Sequence, residues 1–182
     1  MLDCSDEISS CLAKAGWSAE RAVTLPDAYL KYDLPTAVKN VLINLYGLTL
    51  ESKTGMMRYL NISEKYLSHF DELVEEFQED IGLDLQFYPL GEMSEYGGYL
   101  MLDHKARFFF ADSNLIYYGE NIFDFVDIVV LKNRSGIAID FPDSIPNIDL
   151  SYIESGYRRT YYCNSEEETE WVFHKDEGLV KI

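Results

Sequence analysis

The chain has 182 residues, of which 47% are hydrophobic and 14% aromatic, a composition typical of a soluble globular protein and not of a disordered or membrane-spanning one. Its 32 acidic residues outnumber its 15 basic residues, which gives a formal net charge of -17 at pH 7. Nucleic acid and acidic membranes are poor partners for such a surface, because binding phosphates requires Lys and Arg. A basic protein partner is favoured instead, although acidity can also serve only to keep a protein soluble.

The N-terminus, MLDCSDEISS, carries acids where a secretory signal has a basic start, and no apolar run approaches the roughly 20 residues of a membrane-spanning helix. The cysteines, Cys4, Cys11 and Cys163, form no CxxC pair and are odd in number. Free thiols in a reducing compartment fit this pattern best. We therefore expect a cytoplasmic protein.

The first part of the chain predicts two helices and two short strands. Residues 5–16 place their apolar side chains on one helical face, and a strand is expected to start near Ala22. Residues 35–46 predict a second helix, bounded by a proline and a glycine. The stretches LTLES and MMRYLNIS, on either side of a turn at residues 53–55, predict strands.

The clearest helical pattern covers residues 69–81, where apolar residues recur at i, i+3, i+4, i+7 and i+11 and acids cover the other sides. This apolar stripe consists of Phe70, Leu73, Val74, Phe77 and Ile81. From Leu85 the period changes, and LQFYPL, GYLMLD, RFFFAD and LIYYG predict an antiparallel meander. The stretch NIFDFVDIVVLKN then predicts a helix capped by Asn121.

The C-terminal part of the chain adds more strands. YRRTYYC predicts one strand, and WVFHKDEGLVKI predicts a hairpin around residues 176–178. Helices thus alternate with a mostly antiparallel, twisted sheet, so the predicted class is α+β. We expect a single domain over residues 1–182, with about four helices flanking the sheet and a C-terminal hairpin.

No motif in the sequence predicts a metal, a cofactor or a catalytic nucleophile. His69, His104 and His174 lie far apart, and HExxH, GxSxG and an acidic calcium loop are missing. Carboxylates are so abundant that pairs occur by chance at any spacing. We therefore predict that the chain is not an enzyme, while a site built from distant acids and one histidine stays open as an alternative.

The stretch GEMSEYGG, residues 91–98, is rich in glycine and invites comparison with a phosphate-binding loop. A phosphate site needs backbone amides, a helix N-terminus and usually a cation, whereas here Glu92 and Glu95 would repel the anion and a strand follows. The stretch is better explained as a strand connection in which Pro89 and Gly91 end one strand. Gly97 and Gly98 would allow the next strand to approach closely. Glu92, Glu95 and Tyr96 would then stand on the rim, where Tyr is a good protein contact.

Three stretches resemble the SUKH superfamily, and within it the third subfamily. They are LAKAGWSAERAV (residues 12–23), NLYGL (residues 44–48), and IGLDLQFYPLGEMSEYGGYLMLD with the following RFFFAD and YYGENIFDFVDIVV. The resemblance covers about residues 8–132 and leaves residues 145–182 as a C-terminal strand extension. Two departures stand out: Gly47 is single where the superfamily commonly has Gly-Gly, and the hairpin LDHKARFF lacks a glycine at its tip.

The resemblance implies a compact α+β domain that binds proteins and is not an enzyme. Such domains are typically immunity proteins of polymorphic toxin systems, which stay in the producer's cytoplasm and neutralise a cognate toxin, often a nuclease or a deaminase. A toxin that attacks nucleic acid has a basic cleft, so the acidic composition agrees with this implication. The sequence leaves the toxin's identity, the binding face and the oligomeric state open.

We predict a stoichiometric complex with a basic toxin, with no nucleic-acid or membrane partner. The predicted contact residues are exposed in the meander or lie at its turns. They are Glu92, Glu95, Tyr96, Asp112, Tyr117 and Glu120 near one loop end of the sheet, with Asp103 and His104 at a hairpin tip. The alternative is a regulatory or scaffold module of the same fold that has no toxin partner.

Overall fold

The computed structural model describes residues 6–62, 64–81, 85–93, 98–139, 157–163, 165 and 167–181. Their α-helices are α1 (Asp6–Lys14), α2 (Thr36–Leu45), α3 (Glu64–Ile81) and α4 (Ile122–Phe125), with a 3₁₀ turn at Asp27–Lys31 and a π-helical turn at Val126–Val130. Their strands are β1 (Thr49–Glu51), β2 (Met57–Tyr59), β3 (Phe87–Met93), β4 (Tyr99–Asp103), β5 (Phe108–Ala111), β6 (Leu115–Gly119), β7 (Ile137–Ile139), β8 (Tyr157–Tyr162), β9 (Glu168–His174) and β10 (Gly178–Lys181).

The strands described form one antiparallel sheet in which spatial order follows chain order from β1 to β10. Together with the helices this confirms the predicted α+β class and the C-terminal hairpin. Strand β7 is a three-residue element that the sequence did not predict. None of the helices described is both long enough and apolar enough to cross a membrane.

The segment after Trp17 corrects one prediction, because no strand starts near Ala22. The Arg21 guanidinium instead donates to the carbonyls of Asn44 and Tyr46, each at 2.7 Å. The Val23 N–H donates to the Ile43 carbonyl at 2.8 Å. Carbonyls at a helix C-terminus lack partners inside the helix, so this segment is held along the end of α2 and does not join the sheet.

Helix α3 begins five residues before its predicted start. Leu67 is buried and extends the apolar stripe of Phe70 and Phe77 upstream by one turn. Leu73 and Val74 are half-buried, while the side chain of Ile81 lies outside the described part. The following helical segment starts at its predicted cap, since the Asn121 carboxamide accepts hydrogen bonds from the N–H groups of Phe123 and Asp124.

The central strands are covered on both faces. Phe108 stacks on Phe125 of α4 with ring centroids 5.3 Å apart, whereas Phe109, on the opposite face of β5, lies 5.8 Å from Phe173 of β9. Tyr117 on β6 lies 5.9 Å from the same Phe173 ring. In a flat sheet β9 would stand three strand spacings from β6, roughly 14 Å. The sheet therefore curls until its C-terminal strands cover its own centre, which is why β4, β5 and β6 are buried throughout.

Strand β3 does not end at Pro89 and Gly91, contrary to the prediction, but runs through both of them to Met93. Its pairing with β4 shifts register between these two residues, which marks a β-bulge. A Cβ at Gly91 would lie 1.9 Å from the Tyr59 carbonyl oxygen, so glycine lets β2 approach β3. The close approach expected at Gly98 is confirmed, since a Cβ there would lie 2.2 Å from the Phe110 ring. Gly97 lies outside the described residues.

Replacing Gly91 with alanine is expected to destabilise the protein by about 3 kcal/mol, because the added methyl meets backbone atoms of β2 that cannot rotate away. Urea denaturation monitored by circular dichroism measures the loss. Gly55→Ala is the matched control: its Cβ would meet nothing within 4 Å and its φ is +79°, so it should cost only about 1 kcal/mol. Equal losses in the two variants would contradict the close approach.

Candidate functional site

The predicted contact residues fall at two opposite ends of the central strands. The upper end carries the β3–β4 and β5–β6 connections, with Glu92 half-buried and Asp112 exposed. Glu95 and Tyr96 lie outside the described residues. The lower end carries the β4–β5 turn, where His104 is half-buried, and the exposed Glu120 that follows β6. The length of β5, four residues, separates the two ends by roughly 13 Å, so these residues do not form one compact cluster.

Asp103 and Tyr117 are buried, with 0% and 4% of their surface exposed, so the exposure predicted for both is wrong. One oxygen of the Asp103 carboxylate accepts from the backbone N–H groups of Lys105 and Arg107, at 3.0 and 2.9 Å. The other accepts from the Arg107 Nε at 2.6 Å. The tip lacks a glycine, and Ala106 takes a left-handed φ of 65° that this hydrogen-bonded turn holds in place.

The buried Arg107 connects this turn to the C-terminal hairpin. Its guanidinium donates to the Lys175 carbonyl at 2.5 Å and lies 5.2 Å from the centre of the Phe173 ring. Nearby, the Lys105 ammonium donates to the carbonyl of Asp176. We call this set of contacts the lower-end network. Its hydrogen-bond donors bind groups of the same chain and join the β4–β5 turn to the C-terminal hairpin.

Tyr117 belongs to the lower-end network through its hydroxyl group, which donates to the Glu120 carboxylate. Burial, and then this hydrogen bond, raise the pKa of Tyr117, so its phenol stays protonated and keeps donating. Gly178 opens β10 beside the same carboxylate, and a Cβ there would lie 2.9 Å from Glu120 Oε1. Sequence alternation could not show the burial of Tyr117, because it depends on Phe173 in a hairpin about 60 residues further along the chain.

A cavity of about 480 Å³ opens on the α4 side of the sheet. Its lining includes Arg58, Phe110, Tyr118, Arg134 and Cys163. The Arg134 guanidinium is paired with Asp124 at 2.8 Å and with Asp127 at 2.6 Å. Burial raises the pKa of Tyr118, so its phenol stays protonated and cannot act as a base. An adjacent base is one common means of activating a catalytic nucleophile. None of the three histidines lines this cavity, so its described walls offer Cys163 no imidazole.

A family model described as SUKH-3 immunity protein matches residues 4–131, which is more than half of the chain. The chain belongs to the SUKH-3 immunity protein family. The resemblance found in the sequence is thereby confirmed. No curated protein and no solved structure matches the chain. The match to the SUKH-3 family spans α1 to the π-helical turn and ends before β7, so the strands that cover the second face of the sheet lie outside it.

Within the described parts of this SUKH-3 protein, no three His, Cys, Asp or Glu side chains are grouped so that they could hold a metal ion. The described surface instead offers exposed apolar side chains. Met57 and Tyr59, two residues apart on β2, are 36% and 37% exposed, and the sequence analysis missed both. The sequence contained enough information to find them. Strand alternation in the predicted MMRYLNIS segment places Met57 and Tyr59 on one face of the strand and Arg58 on the other.

Removing the Asp103 carboxylate is expected to destabilise the SUKH-3 protein by about 3–5 kcal/mol, because Asp103→Ala leaves the Arg107 charge buried without its partner. Denaturant titration measures the loss, and Asp103→Ala with Arg107→Leu should recover part of it. The control is Glu168→Gln, which breaks the exposed pair with Arg159 and should cost less than about 1 kcal/mol. Similar losses for Asp103→Ala and Glu168→Gln would show that the buried pair has no special role.

Asp127 should make stability depend on pH. Its burial acts to raise its pKa, but hydrogen bonds from Arg134 and Asn133 outweigh burial and hold the pKa below the ordinary 3.8. Because the folded-state pKa is lowered, this stabilisation is complete above 3.8 and is lost as pH falls through the folded value. Asp127→Asn should therefore have a lower Tm than the wild type at pH 7. The Tm difference should narrow on acidification below 3.8, and a constant difference would contradict the assignment.

Proposed function

We propose that this SUKH-3 protein is a non-enzymatic immunity protein of a polymorphic toxin system. It would bind a cognate bacterial toxin one to one, in the producer's cytoplasm, and block it. The observation that supports the proposal best is the match of residues 4–131 to an immunity protein family. The proposed toxin is a basic nuclease or deaminase, and neither nucleic acid nor membrane is a proposed partner.

The charge distribution supports a basic partner. Several cations of the described part are already bound to carboxylates, including Lys31 to Asp71 at 2.6 Å and Lys53 to Glu7 at 3.1 Å. A net charge of -17 therefore leaves many carboxylates that no internal cation balances. Enzymes that act on nucleic acid attract phosphates with Lys and Arg, so an acidic inhibitor complements them and is steered towards them.

The accessible members of the predicted contact set are proposed to meet the toxin. Glu92 and Asp112 stand at the upper end, and Glu95 and Tyr96, which follow Glu92 closely in the sequence, are proposed to act with them. His104 and Glu120 stand at the lower end. Asp103 and Tyr117 would act by shaping the lower-end network, because they are buried. Residues 1–182 are proposed to form one domain, with 8–132 as its core and 145–182 as a strand extension.

Co-expression with the toxin encoded beside the chain's gene tests the proposal. The two proteins should co-purify as a 1:1 complex at moderate salt, and the chain should abolish the toxin's effect on cell growth. Association should slow as salt is raised, because opposite charges steer it. The growth control is the same cell producing the toxin alone.

Failure to form a complex with any neighbouring gene product, across a range of salt, would overturn the immunity proposal. A regulatory or scaffold module without a toxin partner would then be the better explanation. Rescue of growth without a complex, accompanied by chemical modification of the toxin, would contradict the non-enzymatic part of the proposal alone.

A further inference from the structure

The open face of β2 carries two exposed apolar side chains side by side. In the part of the chain that the structure describes, four large hydrophobic side chains are exposed by at least about a third: Leu30, Met57, Tyr59 and Trp171. Leu30 and Trp171 stand on separate elements, whereas Met57 and Tyr59 share one face of one strand. Single exposed hydrophobic residues are ordinary on a protein surface, but an adjacent pair on a rigid strand is a feature of interaction sites.

The strand register places carboxylates beside both of these side chains. Glu51 of β1 pairs with Met57, while Tyr59 pairs with Thr49 on one side and with Glu92 of β3 on the other. Directly opposite residues have Cβ atoms about 5 Å apart, and diagonal neighbours about 7–8 Å. Both carboxylates therefore stand within reach of a group that rests on the Tyr59 ring. We call Glu51, Met57, Tyr59 and Glu92 the β2 patch.

The β2 patch has a defined border. In the same cross-strand row, Tyr99 of β4 follows Glu92, but it is only 8% exposed because Phe70 of α3 packs on it at 5.8 Å. On the opposite side the patch runs into a groove of about 500 Å³ between α1 and the β1–β2 hairpin. Met57 and Glu51 line this groove together with Cys11 and Lys14 of α1. The patch thus combines a flat aromatic surface with an adjoining concave one.

Strand pairing fixes the backbone of Tyr59 before any partner arrives. Strand β2 is paired on both sides, and at Gly91 its backbone approaches β3 so closely that no side chain fits between them. A contact residue whose backbone is already fixed loses less conformational entropy on binding than one on a mobile loop. Tyr in a water-excluding ring of weaker contacts is a common binding hot spot.

We infer that the β2 patch is the surface on which the cognate toxin docks, with an arginine of the toxin's basic surface lying over the Tyr59 ring. A guanidinium binds the face of an aromatic ring and pairs at the same time with carboxylates, and here Glu92 and Glu51 flank the ring. Charge complementarity selects this partner, because both flanking side chains of the patch are acidic and the whole chain carries -17. This inference rests on the proposed function and assigns its binding face.

The test measures the affinity of the full chain for the catalytically inactivated toxin domain encoded beside its gene. Tyr59→Ala should weaken binding by about 30-fold or more, the effect of losing a hot-spot residue. Tyr59→Phe keeps the ring and should stay within about 3-fold of the wild type. Glu51→Lys with Glu92→Lys should slow association and weaken its salt dependence. The matched controls are Leu30→Ala and Trp171→Ala, which remove exposed apolar side chains elsewhere and should bind as the wild type does.

The possible outcomes separate this inference from the proposed function. Absence of binding by the wild type would overturn the function itself and the docking face with it. Full-strength binding by Tyr59→Ala, or an equal loss in the two controls, would overturn the docking face while the function stands. If Tyr59→Ala fails to fold, photo-cross-linking from a benzoylphenylalanine placed at position 59 tests the docking face instead. Cross-linking to the toxin from position 59 but not from position 30 supports the inference, and the reverse pattern overturns it.

Discussion

The buried ion pair of Asp103 and Arg107 ties the β4–β5 turn to the hairpin of β9 and β10. Asp103 fixes the β4–β5 turn through two backbone N–H groups, and Arg107, held by the same carboxylate, reaches the β9–β10 turn through its remaining donors. Burying two charges is expensive, and the pair repays that cost only because further hydrogen bonds satisfy both partners. The ion pair and its hydrogen bonds hold Phe173 over Phe109 and Tyr117. These aromatic contacts cover the second face of the sheet.

That arrangement explains which features the sequence could predict. Helix periodicity and the change to short aromatic strands are local signals, so α2, α3 and the meander followed from them. Whether a side chain of the meander is exposed depends on whether other elements cover one face of the sheet or both. The second face of the sheet is covered by strands about 60 residues further along the chain, and no local sequence pattern indicates such a contact. Asp103 and Tyr117 were therefore wrongly placed on the surface. The β-bulge at Gly91 was not predicted for a similar reason. A glycine inside a strand cannot be distinguished in the sequence from a glycine that ends a strand unless the neighbouring strand is known.

The chemical character of the candidate site follows from the sequence more readily than its position does. Composition alone indicates acids and aromatic side chains as contacts, and both are present on the described surface. The location proposed for it rests on the register of β1, β2 and β3, which sets Glu51 and Glu92 beside Met57 and Tyr59. The carboxylates of the lower end also serve the fold, because both have partners inside the protein. Asp103 is buried against an internal cation, and Glu120 accepts a hydrogen bond from a buried phenol.

The strand order has a consequence for how such a protein can grow over evolutionary time. Each strand described pairs with the strands next to it in the chain, so an element added at the C-terminal end leaves every earlier hydrogen bond unchanged. The family match ends at residue 131, and β7 to β10 continue the sheet beyond it. A common core can therefore be lengthened strand by strand, and each addition alters the covered face of the sheet without disturbing the edge at β1. The edge at which docking is proposed and the strands that cover the second face thus lie at separate places in one continuous sheet.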